Sequence, residues 1–285
     1  MLSIRLQESL ILNDPAYLTV GARLFTTDVK KLGIHIATKD CRVEKPDGSL
    51  LFRLVKNVIP EDVWRPAYQL LRTVSGDLSN RPNIIGSNLR LPTMRKDGSL
   101  SNFNMAPKAV VDKFGGNADL LGYYKYKNPA PGVVDCAPTA WTQGKNGGPS
   151  PVYSGCFNFI RKVDEVYRLM LESEYKRQKT VVDLVPPYLR ILDTVFTTLY
   201  VLRNAPTAIH TDDFDAEGTF GCMASLGNWE GNALVFPKYR LGCDYRPGDV
   251  ILADVHELHG NLPLLSGERV ACVFFVRTGM DQCPR

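Results

Sequence analysis

Three of the four histidines in this chain stand where their neighbours could make them metal ligands. His210 and Asp212 form a His-x-Asp pair in Ala208-Ile209-His210-Thr211-Asp212, and a further histidine follows in Leu258-His259-Gly260-Asn261. Two imidazoles and one carboxylate on one face of a metal make a 2-His-1-carboxylate triad, which leaves positions open for O₂ and a co-substrate. Downstream, in Gly267-Glu268-Arg269, comes an arginine. Its planar guanidinium can grip the far carboxylate of 2-oxoglutarate through two parallel N–H···O bonds. These residue types point to non-haem iron(II) at His210, Asp212 and His259, with Arg269 holding 2-oxoglutarate.

The elements around them must present a rigid site. His210 and Asp212 are i and i+2, so on a strand both side chains share a face. The run 196–203 before them is rich in β-branched and aromatic residues and reads as a strand. Gly248 and Asp249 open a turn, the apolar run after it reads as a strand, and His259 lies at its end. The run 269–277 reads as a closing strand. Arg269 is expected to open it, after a tight turn across Pro263 to Gly267.

His256 competes with His259 for the third ligand place. His259 is preferred because Gly260, Asn261 and the Pro263–Gly267–Arg269 series bring the arginine near it; His256 is expected in a loop beside the metal shell. The string His256-Glu257-Leu258-His259 is a near miss to the zinc-protease motif, whose histidines must be i and i+4 to share a helix face. Here they are i and i+3 between an apolar strand and Gly260, which excludes that reading. A lone His-x-Asp is weak, since a core histidine bonded to an aspartate looks the same. The conjunction with Leu-His, Pro263, Gly-x-Arg and a final apolar strand is what carries weight.

Those same residues give a family resemblance. The stretch 188–277 resembles the TET/J-binding-protein group of iron(II) and 2-oxoglutarate dioxygenases, which oxidise the 5-methyl group of pyrimidines in DNA, and most of all its compact phage and protist branch. The residues are Phe196-Thr197-Thr198, Thr207-Ala208-Ile209-His210-Thr211-Asp212 with Asp215, Leu226-Gly227-Asn228 running into Leu234-Val235-Phe236-Pro237-Lys238-Tyr239, Arg246-Pro247-Gly248-Asp249, and Asp254-Val255-His256-Glu257-Leu258-His259-Gly260-Asn261. Asp47-Gly48, the stretch 56–60 and Asn80-Arg81 resemble that branch more loosely. The chain departs from it at Asn232, where a second glycine is expected after Gly231, and at Pro82 to Ser87, where a small-residue run is expected. The resemblance implies a mainly β fold with flanking helices, a double-stranded β-helix of two packed sheets. It implies Fe(II) and 2-oxoglutarate as cofactor and co-substrate, ascorbate being the donor in one relative, and a flipped base in DNA as partner. It also implies that Asp215 and Arg277 face that base. An ionised aspartate would accept from the N4 amine of cytosine and oppose O4 of thymine, which favours 5-methylcytosine, converted to 5-hydroxymethylcytosine. A thymine hydroxylase, a same-fold oxygenase of protein side chains or small molecules, and a non-catalytic nucleic-acid-binding relative are the alternatives.

Composition is compatible with this. The 285 residues are 44% hydrophobic and 22% charged, ordinary values for a globular protein. One dioxygenase domain, 1–285, is expected, with 1–180 as helical and loop support and 181–285 as the metal-binding β core. No apolar run is long enough for a membrane span, and the N-terminus carries no secretory signal pattern. Seven cysteines at wide spacings form no Cys-x-x-Cys pair and no even framework, which fits a reduced compartment. A soluble intracellular protein is expected, nuclear in a eukaryote and otherwise cytoplasmic. Cys222, Cys243 and Cys272 read as small core residues. The net charge of +4 hints mildly at a polyanionic partner. Arg90, Arg95, Lys96, Lys108, Lys113 and Lys145, and Lys125 and Lys127 among Tyr123, Tyr124 and Tyr126, fall in a region 80–155 that reads as long binding loops. Lysine beside tyrosine suits phosphate contact with base stacking; a solvated face is the bland alternative. Helices are expected from Pro60 to Val74 and from Phe159 to Gln178, the second with an apolar stripe through Val163, Val166, Tyr167, Met170 and Leu171.

Overall fold

The computed structural model describes residues 2–74, 93–94, 100–101, 117–125, 136–205 and 207–284. Asn80-Arg81, Pro82 to Ser87 and the basic or aromatic positions Arg90, Arg95, Lys96, Lys108, Lys113, Tyr126 and Lys127 lie outside those residues. Two sheets make the body. The larger runs in the order β1 (Leu2–Arg5), β3 (Cys41–Glu44), β4 (Leu50–Val55), β13 (Val250–Ala253), β10 (Gly221–Gly231), β15 (Leu264–Phe275), β9 (Thr198–Arg203), β7 (Asn117–Lys125) and β8 (Cys136–Pro138). The smaller runs β14 (Gly260–Asn261), β11 (Leu234–Phe236), β12 (Leu241–Cys243) and β2 (His35–Ala37). A separate pair joins β5 (Thr93–Met94) to β6 (Leu100–Ser101). This is the expected double-stranded β-helix.

Alternation along the strands decides what reaches the interior of the barrel. In β15, Val270, Cys272 and Phe274 point to one core, while Arg269, Ala271, Val273 and Phe275 line a cavity on the other face. In β9, Leu199 and Val201 join the first core, and Tyr200 and Leu202 line the cavity. Period two thus splits each strand between a structural and a functional face. The structural face packs under helices. In α2 (Glu61–Leu71), Ala67 and Leu71 are buried, one turn apart, and Glu61 and Asp62 occupy the first turn, where acids suit the helix dipole. In α4 (Phe157–Met170), which follows α1 (Thr26–Lys31) and α3 (Pro151–Gly155) in the chain, Phe159, Ile160, Val163, Val166 and Tyr167 make the buried stripe. The expected helix from Phe159 to Gln178 is two: Leu171 leaves helical geometry at φ −143° and ψ 67°, and α5 (Glu172–Val182) restarts beyond it. Leu171 stays in the core, so the break keeps both helices on the sheet. Phe274 sits between Phe159 and Phe196, centroids 5.9 and 5.3 Å away. Phe274→Ala is expected to cost about 3–5 kcal/mol, read as a lowered urea midpoint; an unmoved midpoint would mean the helix layer does not depend on this contact.

Three other expectations change. The region 80–155 is not all loop, because β7 pairs with β9 from Asn117↔Arg203 to Gly122↔Thr198. Its glycine and asparagine content hid an alternating strand. Tyr123 packs against the core around Cys136 and Cys283, and Lys125 Nζ donates to Gln282 Oε1 at 2.7 Å. Those two are therefore not a free stacking surface. The turn expected across Pro263 to Gly267 is strand: β15 begins at Leu264, and Gly267, at φ +84°, lies opposite Trp229 of β10. A Cβ there would stand 2.2 Å from Asn228 O, so glycine marks a close approach of two strands. Finally, Cys136 and Cys283 form a disulfide with Cα atoms 6.0 Å apart. The pair is 147 residues apart in sequence, which no local pattern reveals. The other five cysteines are free and buried, with Cys222, Cys243 and Cys272 in the core as expected. Among the described residues no helix is long and apolar enough to cross a membrane.

Candidate active site

His210 and His259 face each other across a two-residue antiparallel bridge. His210 N–H donates to His259 O and His259 N–H to His210 O, both at 2.9 Å. Asp212 N–H donates to Val255 O at 3.0 Å. The His-x-Asp pair thus lies on a short extended segment rather than in a full strand, and its i, i+2 spacing still puts both side chains on one side. The N-terminal segment supports it from behind: Ile209 N–H donates to Ala22 O, and Gly21 N–H to Ile209 O. Val20, in that segment, lines the cavity, a contribution the sequence did not suggest.

The rings are oriented for a metal. His210 Nδ1 lies 2.7 Å from Ala208 O, and His259 Nδ1 lies 2.9 Å from Glu257 O. A carbonyl only accepts, so each Nδ1 carries the proton and each Nε2 lone pair is left for a ligand bond. Asp212 faces both: Oδ1 is 3.3 Å from His210 Nε2 and Oδ2 is 3.8 Å from His259 Nε2. One ligand atom from each of the three lies within 4.8 Å of the others. Burial and then repulsion from His210 hold the His259 imidazole down to about 4, so it stays neutral. For His210, burial pulls downward but the Asp212 hydrogen bond and charge outweigh it, and its value is raised.

His256 is elsewhere. It sits in a turn, Nδ1 3.4 Å from Asp254 Oδ1 and Nε2 3.4 Å from Asp215 O. The segment 254–258 is not helical, which agrees with the exclusion of the zinc-protease motif.

A cavity of about 340 Å³ opens on the triad. Arg269, Asp215 and Arg277 all line it. Arg269 is only 4% exposed and stands inside β15 opposite Gly227, not at the strand's start. Asp215 and Arg277 are brought together by a backbone bridge. The Arg277 guanidinium lies over the Phe214 ring at 4.8 Å, and Phe214, partly exposed, is a rim residue that the sequence did not flag. Asp215 is buried, and its Oδ2 has no hydrogen-bond partner among the described residues. Burial and then the charge of Asp212 push its carboxyl well above the usual range, with Arg277 opposing them. In place of the expected ionised carboxylate, this environment favours the neutral acid, which can donate as well as accept.

Fold and donor set together define the class, an iron(II) and 2-oxoglutarate oxygenase domain. Residues 120–278 match the Tet_JBP family, the oxygenase domain of the 2OGFeDO superfamily, and the chain belongs to it. Among curated proteins it is 30% identical over 217 residues to thymine dioxygenase JBP1 of Leishmania infantum, covering 71% of this chain and 26% of that protein. It is 31% identical over 166 residues to the bifunctional helicase and thymine dioxygenase JBP2 of Trypanosoma brucei brucei, covering 56% of this chain and 15% of that protein. The chain therefore spans about a quarter or less of the length of these relatives. Among solved structures, NgTET1 in complex with 5mC DNA matches with a TM-score of 0.56 at 16% identity, covering 90% of both chains; this likeness is one of fold.

Proposed function

We propose that this chain oxidises the 5-methyl group of a pyrimidine base in DNA, with thymine as the preferred base. The observation that carries the proposal is the shared cavity. The His210–Asp212–His259 donor set, a buried arginine and a buried, unpartnered carboxyl oxygen of Asp215 converge on one space. Two imidazole nitrogens and one carboxylate fit iron(II). The Nε–H of Arg269 is buried without a partner among the described residues, and an arginine so placed fits the C5 carboxylate of 2-oxoglutarate, a better match than ascorbate, which has no carboxylate. Iron(II) held there supplies, with 2-oxoglutarate and O₂, the oxidising power to break a methyl C–H bond. The chain's part is to hold, orient and keep water out. The apolar wall of Leu202, Ala271, Val273 and Phe275 gives the methyl group a dry face. A base stacked in duplex cannot reach a buried metal, so it must be flipped out, at a few kcal/mol.

Thymine is preferred because the curated relatives JBP1 and JBP2 are thymine dioxygenases. Asp215 is compatible with it: a neutral carboxyl donates to O4 and accepts from N3–H. The second reading, 5-methylcytosine, follows if Arg277, at the bridge opposite Asp215, keeps that carboxyl ionised in the complex. The test is turnover of matched oligonucleotides carrying one thymine or one 5-methylcytosine, with nucleosides analysed by mass spectrometry. Asp215→Asn is expected to keep thymine turnover, because an amide offers the same donor and acceptor pair. Asp215→Ala is expected to cost about 1–3 kcal/mol of it. A wild type that favours 5-methylcytosine, with Asp215→Asn narrowing the preference, would establish the second reading. Oxidation of neither base would sink both.

A further inference from the structure

We infer that Asn232 and Tyr245 are positioning residues that aim Arg269 at the second carboxylate of the co-substrate, and that they thereby set the selectivity for a dicarboxylate 2-oxo acid over a monocarboxylate one. The inference rests on the co-substrate assignment above and extends it to residues outside the metal set.

Arg269 is held at both its backbone and its guanidinium. The backbone of Arg269 is pinned by Asn204: Arg269 N–H donates to Asn204 Oδ1, and Asn204 N–H to Arg269 O, both at 2.9 Å. Its guanidinium is held by two neutral acceptors, Asn232 Oδ1 at 2.6 Å from Nη1 and Tyr245 Oη at 2.5 Å from Nη2. The rings of Tyr245 and Trp229 lie 5.1 and 5.7 Å from the guanidinium carbon. No carboxylate is among its described partners, and Nε–H has no partner among the described residues. A buried cation surrounded by neutral groups is costly until an anion arrives. Neutral acceptors fix the direction of the fork without cancelling its charge, so the full attraction is left for the ligand.

Asn232 suits this task for two reasons. Its backbone is left-handed, φ +61°, a region that glycine and asparagine tolerate. Its amide is oriented by its surroundings: Nδ2 donates to Leu262 O at 3.2 Å, which leaves Oδ1 as the end facing Arg269. The glycine expected at this position by resemblance would satisfy the backbone and supply no acceptor. The departure from the family pattern thus falls on the co-substrate anchor.

The experiment compares two ligands by calorimetry without DNA, on protein loaded with Mn(II). One is 2-oxoglutarate; the other is 2-oxopentanoate, which keeps the chelating end and lacks the second carboxylate. Wild type is expected to prefer 2-oxoglutarate strongly. Asn232→Gly and Tyr245→Phe are each expected to weaken 2-oxoglutarate roughly ten- to hundredfold and to leave 2-oxopentanoate unchanged. Asn232→Asp keeps shape and backbone but gives Arg269 an internal anion, so it is expected to lose 2-oxoglutarate at least as severely. Variants that bind 2-oxoglutarate as wild type does, or that lose both ligands equally, overturn the inference, the second pattern being that of a packing role. A wild type that does not distinguish the ligands overturns it together with the co-substrate assignment. Selective binding without oxidation of either base would instead fail only the substrate reading.

Discussion

Alanine at His210, Asp212 or His259 is expected to abolish turnover and to strip the protein of stably bound iron, while alanine at His256 leaves iron bound. Each of the first three removes one of the three candidate ligands, whose donor atoms lie within 4.8 Å of one another. Two remaining ligands hold a divalent metal far more loosely, and the losses are not additive, because one absent ligand already empties the site. His256 has its imidazole committed to Asp254 and to the carbonyl of Asp215. Metal content after desalting, measured by mass spectrometry, reads the four variants directly. Iron retained in His259→Ala and lost in His256→Ala would overturn the ligand assignment.

Arg269→Ala carries the second large effect. Removing the guanidinium takes a bidentate charged partner from a site that is almost fully buried, and leaves the co-substrate's carboxylate to be desolvated without compensation. Truncation of such a pair costs about 2–5 kcal/mol, so the 2-oxoglutarate needed for half-maximal turnover is expected to rise by roughly 30-fold to several thousandfold. Iron affinity should hardly move, since the described side-chain partners of Arg269 are Asn204, Asn232, Tyr245 and Trp229, none of them a candidate ligand. An unchanged requirement would point to a different anchor or to a donor without a carboxylate, such as ascorbate.

Much of this was legible along the chain because it is written at short range. The His-x-Asp spacing fixes a shared face whether or not a full strand forms, and Leu-His-Gly-Asn followed by Gly-x-Arg survives small errors in strand boundaries. Other features depend on meetings between distant residues. Nothing near Asn232 or Tyr245 in sequence says that both will reach Arg269, and Asn232 first reads as a missing glycine. Gly267 looks like a turn residue; only its strand partner, Trp229 of β10, shows that it serves a close approach. The charge state of Asp215 is a property of its burial, which a residue letter does not carry. Cys136 and Cys283 meet only because β8 edges the large sheet near the end of the described chain.

The N-terminal strands have a consequence for any attempt to trim this protein. The family match begins at residue 120, which invites a cut there. Yet β4 pairs with β13 from Val250↔Val55 to Ala253↔Phe52, and Phe52 stacks on Phe236 with centroids 5.8 Å apart. Ala22 and Gly21 hold the strip that bears His210. A fragment cut at the family boundary would bare the edge of β13, a ready template for pairing with another chain, and would lose Val20 from the cavity lining. The smallest piece able to work as a unit therefore reaches back to the first two dozen residues. Residues without any mark of chemistry become as indispensable to the site as the ligands themselves.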